Sequence, residues 1–206
     1  MKVYGEPAGL LGANFYIAAD DKSNEAILID PGADGEKIVN ALKNLDCKLK
    51  YIIITHAHAD HIGALDFVAE QTCAPVVIHT LDSDALNNSV WNLCDRFHMA
   101  SPKKKCDIAV LDNDTLTLGS NTVIQFIHTP GHTRGSMCIH IGDMLFSGDT
   151  LFCASIGRTD FIGGSYADIT DSINNKLFAL SGNTKVYPGH GEDTTIQYEK
   201  ENNPFV

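Results

Sequence analysis

The sequence predicts an α/β protein of two similar halves, with their sheets packed face to face and helices on the outside. Three observations carry that reading. Strand-like and helix-like stretches alternate twice along the 206 residues. Continuous apolar runs such as LKYIIIT (49–55) mark buried strands. Histidines and acids fall where predicted strands end, in the loops that usually carry function.

The elements follow in order. NFYIAAD (14–20) and EAILIDPG (25–32) read as strands, the second stopped by Asp30, Pro31 and Gly32. GEKIVNALKNL (35–45) spaces Ile38, Leu42 and Leu45 as a helix does. The run at 49–55 is the next strand, then a helix over HIGALDFVAEQ (61–71) and a strand over PVVIH (75–79). TLDSDALNN (80–88) opens as a helix capped by Thr80, and CDRFHMASPKKKC (94–106) reads as an exposed basic loop. Four strands lie within DTLTLG (114–119), NTVIQFIHTPGHT (121–133), SMCIHIG (136–142) and DMLFSGDTLF (143–152). A helix over 165–180 is capped by Ser165, a strand and loop occupy TKVYPGHG (184–191), and a last helix covers 194–203.

Composition narrows the class. The length fits a single domain, 1–206, and 44% hydrophobic residues supply a core without disulfides. A formal charge of −11 argues against nucleic-acid and anionic-membrane surfaces. No apolar run reaches the roughly 18 residues of a membrane span, and the first residues lack a signal-peptide pattern. The expectation is a cytoplasmic protein, monomeric or a small homo-oligomer, with a small-molecule substrate. The six cysteines form no CxxC pair and read as reduced, mostly packed thiols. Cys153 is either packed or part of a pocket.

The segment THAHADH (55–61) concentrates His56, His58, Asp60 and His61, three of the chain's nine histidines. Imidazoles and a carboxylate crowded together suit a borderline-soft divalent cation. Alternation along an extended segment puts His56, His58 and Asp60 on one side. Three more candidates follow strands, each after a glycine that permits a sharp turn: His132, Asp149 and His190. Five histidines and two aspartates are enough for two ions. His79, His98, His128 and His140 read as structural histidines, and Asp30 and Thr55 as either ligand-orienting partners or turn residues.

THAHADH, TPGHT (129–133), FSGDT (146–150) and YPGHG (187–191), in that order, resemble the metallo-β-lactamase superfamily across nearly the whole chain. The resemblance implies a four-layer αββα sandwich and two divalent ions, zinc first, with iron or manganese as alternatives. His56, His58 and His132 would hold one ion. Asp60, His61 and His190 would hold the other, with Asp149 bridging and Asp60 also catalytic. GDTLFCASIGRTDFIGG (148–164) is similar to the glyoxalase II-like branch in its compact bacterial form. That branch implies hydrolysis of a thioester such as S-lactoylglutathione. Arg158 would be substrate-binding, or paired with Asp160 to brace its loop. The resemblance also implies that an aspartate at 149, where β-lactamases generally carry cysteine, points away from antibiotic hydrolysis. Longer glyoxalase II enzymes use a helical C-terminal region to bind glutathione; only Lys200 is basic after His190 here. Related persulfide dioxygenases use one iron, on what would be His56, His132 and Asp149. A lactonase or other ester hydrolase is the remaining alternative.

Overall fold

The computed structural model describes residues 1–206. A first sheet of six strands runs in spatial order β1 (Lys2–Ala8), β2 (Ala13–Ala19), β3 (Glu25–Ile29), β4 (Lys48–Ile54), β5 (Val76–His79) and β6 (Ile108–Val110). β1, β2 and β3 pair antiparallel, while β3 through β6 are parallel. A second sheet has the order β14 (Thr194–Thr195), β13 (Lys185–Pro188), β10 (Met144–Gly148), β9 (Met137–Ile141), β8 (Thr122–His128) and β7 (Thr115–Leu118). It is antiparallel except where β10 meets β13.

Strand alternation sorts the side chains into layers. Ile27, Ile29 and Ile53 face the second sheet and pack with Phe126, Ile139 and Phe146. Ala26, Leu28, Ile52 and Ile54 face outward, against Ile38 and Leu42 of α1 (Gly35–Asn44) and Leu65 and Val68 of α3 (Leu65–Thr72). On the far side of the second sheet, Cys138, Leu145 and Val186 meet Ile169 of α5 (Tyr166–Asp171) and Ile196 of α6 (Ile196–Asn202). The layers are helix, sheet, sheet, helix, as expected. No helix is long and apolar enough to cross a membrane.

Several elements depart from the sequence reading. β1 was not anticipated because Gly5 and Pro7 interrupt its pattern; it is an edge strand, where proline is tolerated. β6 has only three residues on the opposite edge. The helix expected over 61–71 is two, α2 (Ala59–Ile62) and α3, parted at Gly63 and Ala64. Residues Thr80–Asp82 form a 3₁₀ turn whose cap is His79, not Thr80: the His79 ring accepts from the Leu81 N–H at 3.3 Å. Within 94–106, residues Cys94–Phe97 form one short helix, α4, and Asp66 accepts from the Lys103 and Lys104 N–H groups. Ser165 does cap α5, but the helix loosens into a π turn at Ser172–Lys176. The segment 143–152 is β10 plus β11 (Leu151–Phe152), which pairs with β12 (Ser155–Ile156) in a small separate ribbon. The cysteines are less packed than expected, with only Cys94 and Cys138 buried and Cys73 and Cys153 exposed.

Candidate metal centre

The seven residues His56, His58, Asp60, His61, His132, Asp149 and His190 come together at one end of the sheets, off the C-terminal ends of β4, β8, β10 and β13. His58 follows β4 on extended backbone, whereas His56 lies in a bend directly after the strand. Asp60 departs from the alternation: it sits in the first turn of α2 and reaches the cluster from there.

Two of the preceding glycines act in different ways. Gly148 has φ +49°, a left-handed turn that aims Asp149 off β10. Gly189 needs space instead, since a Cβ there would lie 2.2 Å from Asp149 Oδ1. Its N–H donates to the Gly148 carbonyl at 2.8 Å, tying the Asp149 and His190 loops together.

Three groupings of potential donors bring their atoms within 4.8 Å: His56–His58–His132, His56–His61–Asp149 and Asp60–His61–His190. Asp149 lies among them. Its Oδ1 is 3.3 Å from His61 Nε2, and its Oδ2 is 3.5 Å from His132 Nε2 and 3.7 Å from His190 Nε2.

Hydrogen bonds behind the rings fix which nitrogen faces inward. Asp30, buried at the end of β3, accepts from His61 Nδ1 at 2.9 Å. It also accepts from the Thr55 N–H at 2.8 Å and the Thr55 hydroxyl at 2.6 Å. With its proton given to Asp30, the Thr55 oxygen is left to accept from His56 Nδ1, 3.1 Å away. The Arg158 carbonyl accepts from His132 Nδ1 at 2.6 Å. His56, His61 and His132 therefore all turn Nε2 towards the cluster, where His132 Nε2 meets His58 Nδ1 at 2.9 Å. Asp30 and Thr55 are orienting partners, one of the two roles the sequence allowed.

Electrostatics separates the histidines. Burial and the neighbouring imidazoles push His56 well below its usual pKa, and burial with His132 brings His58 down to about 3. Burial also works against a charged His61, but Asp149, Asp60 and Asp30 overcome it and hold that pKa well above normal. Burial would raise Asp60 and Asp149; His61 foremost among the histidines reverses this and keeps both carboxyls below the usual range.

Four buried atoms of the cluster have no hydrogen-bond partner: His56 Nε2, His58 Nε2, His61 Nε2 and Asp149 Oδ1. Buried polar atoms are nearly always paired. Imidazoles and ionised carboxylates gathered with unpaired atoms form a donor set that fits divalent cations.

A pocket of about 240 Å³ lies over the cluster, walled by Phe152, Phe161, Phe97 and Leu11. Arg158 also lines it, but its guanidinium is paired with Asp160 at 2.7 and 2.9 Å and stacks 4.3 Å over Phe161. The pairing with Asp160 is thus present. Cys153 lies elsewhere, in a surface hollow with Lys185 and Tyr198. His79 and His128 stack at 4.0 Å away from the cluster.

Asp82 was missed. Buried in the 3₁₀ turn after β5, it accepts from the Ala57 N–H at 3.2 Å, the Thr133 hydroxyl at 2.7 Å and the Gly135 N–H at 2.9 Å. It joins the loop of His56 and His58 to the loop of His132.

Residues 8–190 match the family model of the metallo-beta-lactamase superfamily. The chain belongs to that superfamily. Among curated relatives of this metallo-β-lactamase-fold protein is the probable metallo-hydrolase YqgX of Bacillus subtilis. It is 35% identical over 209 residues, covering 100% of this chain and 98% of its own. The hydroxyacylglutathione hydrolase GloC of Haemophilus influenzae is 32% identical, over 97% of this chain and 95% of its own. Among solved structures, the BLEG-1 B3 metallo-β-lactamase has a TM-score of 0.94 at 37% identity, with 99% of each chain covered. ETHE1 from Myxococcus xanthus has a TM-score of 0.83 at 31% identity, over 99% of this chain and 84% of its own. TTHA1623, solved in a di-iron-bound form, has a TM-score of 0.87 at 31% identity, over 98% of this chain and 100% of its own.

Proposed function

We propose that this chain is a binuclear metal-dependent hydrolase whose substrate is a thioester such as S-lactoylglutathione. The observation that carries the reading is the position of Asp149, within 3.7 Å of nitrogens from His61, His132 and His190. One ion would be held by His56, His58 and His132, the second by Asp60, His61 and His190, with Asp149 shared. Zinc is the metal assigned, and the di-iron form of TTHA1623 keeps iron in the test. When bound, such a pair of ions supplies Lewis acidity and a water whose pKa falls from ~15.7 towards ~7.

The chain's own residues do the rest. Asp60, held anionic, orients the attacking water through its carboxylate and accepts its hydrogen bond. Asp30 and Thr55 keep His61 and His56 in the tautomers that face inward. Phe152 and Phe161 limit water around the reacting carbonyl. A thiol with pKa near ~8.5 departs as thiolate without a dedicated acid, and the site offers no Ser or Cys nucleophile.

GloC supports the thioester reading. The likeness to BLEG-1 favours a second reading, hydrolysis of a β-lactam amide on the same donors. A one-iron oxidation would need only His56, His132 and Asp149, and the likeness to ETHE1 gives that alternative some support.

The test is elemental analysis of protein purified without added metal, with S-lactoylglutathione hydrolysis, β-lactam hydrolysis and persulfide-dependent oxygen uptake run on the same sample. Two ions per chain and thioester hydrolysis without oxygen uptake are expected. One iron with oxygen uptake overturns the reading, and β-lactam turnover exceeding thioester turnover replaces it with the second.

A further inference from the structure

We propose that the cleft beside the metal centre binds an uncharged, apolar arm of the substrate, so that on that arm alkyl or aryl groups are preferred to charged ones. This rests on the hydrolase reading above. The cleft holds about 360 Å³, within the range of small-ligand sites. Its walls include Leu10 and Leu11 from the β1–β2 turn, Ala33, Phe97 and Met99.

Three observations converge on it. Leu10 is fully exposed, and Leu11 and Phe97 are also open to solvent. Large apolar side chains gathered at the surface around a cavity mark a binding site rather than a core. Second, the cleft is continuous with the site: Leu11, Phe97 and Asp60 line both it and the pocket over the donors. An arm lying in the cleft therefore runs directly to the reacting carbonyl. Third, its only charged lining residue is Asp60, which belongs to the donor cluster. No lysine, arginine or histidine lines the cleft, so nothing there pairs with a carboxylate such as those of glutathione. The cleft is also held in shape, because the Gly9 N–H at the turn donates to Asp34 Oδ2 at 3.0 Å.

The experiment is calorimetry of the metal-loaded protein with S-alkyl mercaptoacetamides from methyl to octyl, thioethers that hydrolysis does not cleave. Binding is expected to tighten roughly three- to fourfold per methylene until the cleft is full. Leu10→Ser and Leu11→Ser are expected to flatten that series. Both positions are exposed, and a thermal melt verifies that each variant is folded. Turnover of thioesters lengthened separately on the acyl side and the thiol side then assigns which arm lies in the cleft. A flat series in the wild type, or a slope that survives in both variants, overturns the proposal. A binding series that behaves as expected without turnover of any ester or thioester overturns the hydrolase reading and leaves the cleft assigned.

Discussion

The His56–His58–His132 group and the Asp60–His61–His190 group are neighbours, yet they are kept ready by different means. In the first, three imidazole rings stand edge-on with centroids 4.6 to 4.7 Å apart, deeply buried. Burial and mutual repulsion keep His56 and His58 neutral. In the second, a carboxylate belongs to the group, His61 is backed by Asp30, and His190 is 30% exposed. Neutral donors tolerate complete burial, because an uncharged imidazole loses little by leaving water. Charged donors need either partners or an open side. The second group has both, since His61 is partnered by Asp30 and His190 is open to the pocket over the cluster.

The strongest way to break this comparison is to remove Asp149, which lies against histidines of both groups. Asp149→Ala is expected to lower metal content at both and to reduce turnover beyond the ~10–100-fold that loss of an outer partner causes. Elemental analysis and steady-state rates check it. Full retention of two ions with less than a tenfold rate loss would show that Asp149 is not common to them.

The partners behind the rings sharpen the distinction. Asp30→Asn removes the charge behind His61, and Thr55→Val removes the hydroxyl that meets His56. Each is expected to weaken metal binding by ~10–100-fold, chiefly at its own group. Chelator competition on each variant separates two affinities. Equal losses at both affinities in both variants would mean that the two groups are one network.

The smallest effect lies outside both groups and isolates what burial alone does. His79 is buried, and burial with the nearby His128 lowers its pKa from 6.5 to about 4. The unfolded chain gains a proton there below pH 6.5, whereas the folded chain resists until about pH 4. Its contribution to stability is therefore full above pH 6.5 and falls through that window, by no more than ~1.4 kcal/mol per pH unit. His79→Asn retains an acceptor for the Leu81 N–H and is expected to flatten the pH dependence of the melting temperature there. An unchanged slope would remove His79 from the account.

The donor cluster was legible because its residues lie in short local motifs after apolar strands, and a strand end with a glycine can be read from a few letters. Asp60 was legible as a member but not in its placement, because α2 begins one residue earlier than an extended segment would allow. Gly189 was legible as a glycine that matters, but its reason is the approach of Asp149 from another strand. Asp82 had no local signature: its partners Ala57, Thr133 and Gly135 lie 25 to 53 residues away and meet it only after folding. β1 and β6 escaped for the reason that edges often do, since weak or proline-bearing segments suffice where only one side is paired.

His132 is steadied by the main-chain oxygen of residue 158, while that same residue lines the pocket. Every amino acid supplies that oxygen. Evolution, or a protein engineer, can therefore exchange Arg158 for almost any side chain and reshape what enters the pocket while the anchor of His132 stays in place. What lines the pocket and what anchors His132 are therefore encoded separately at a single codon.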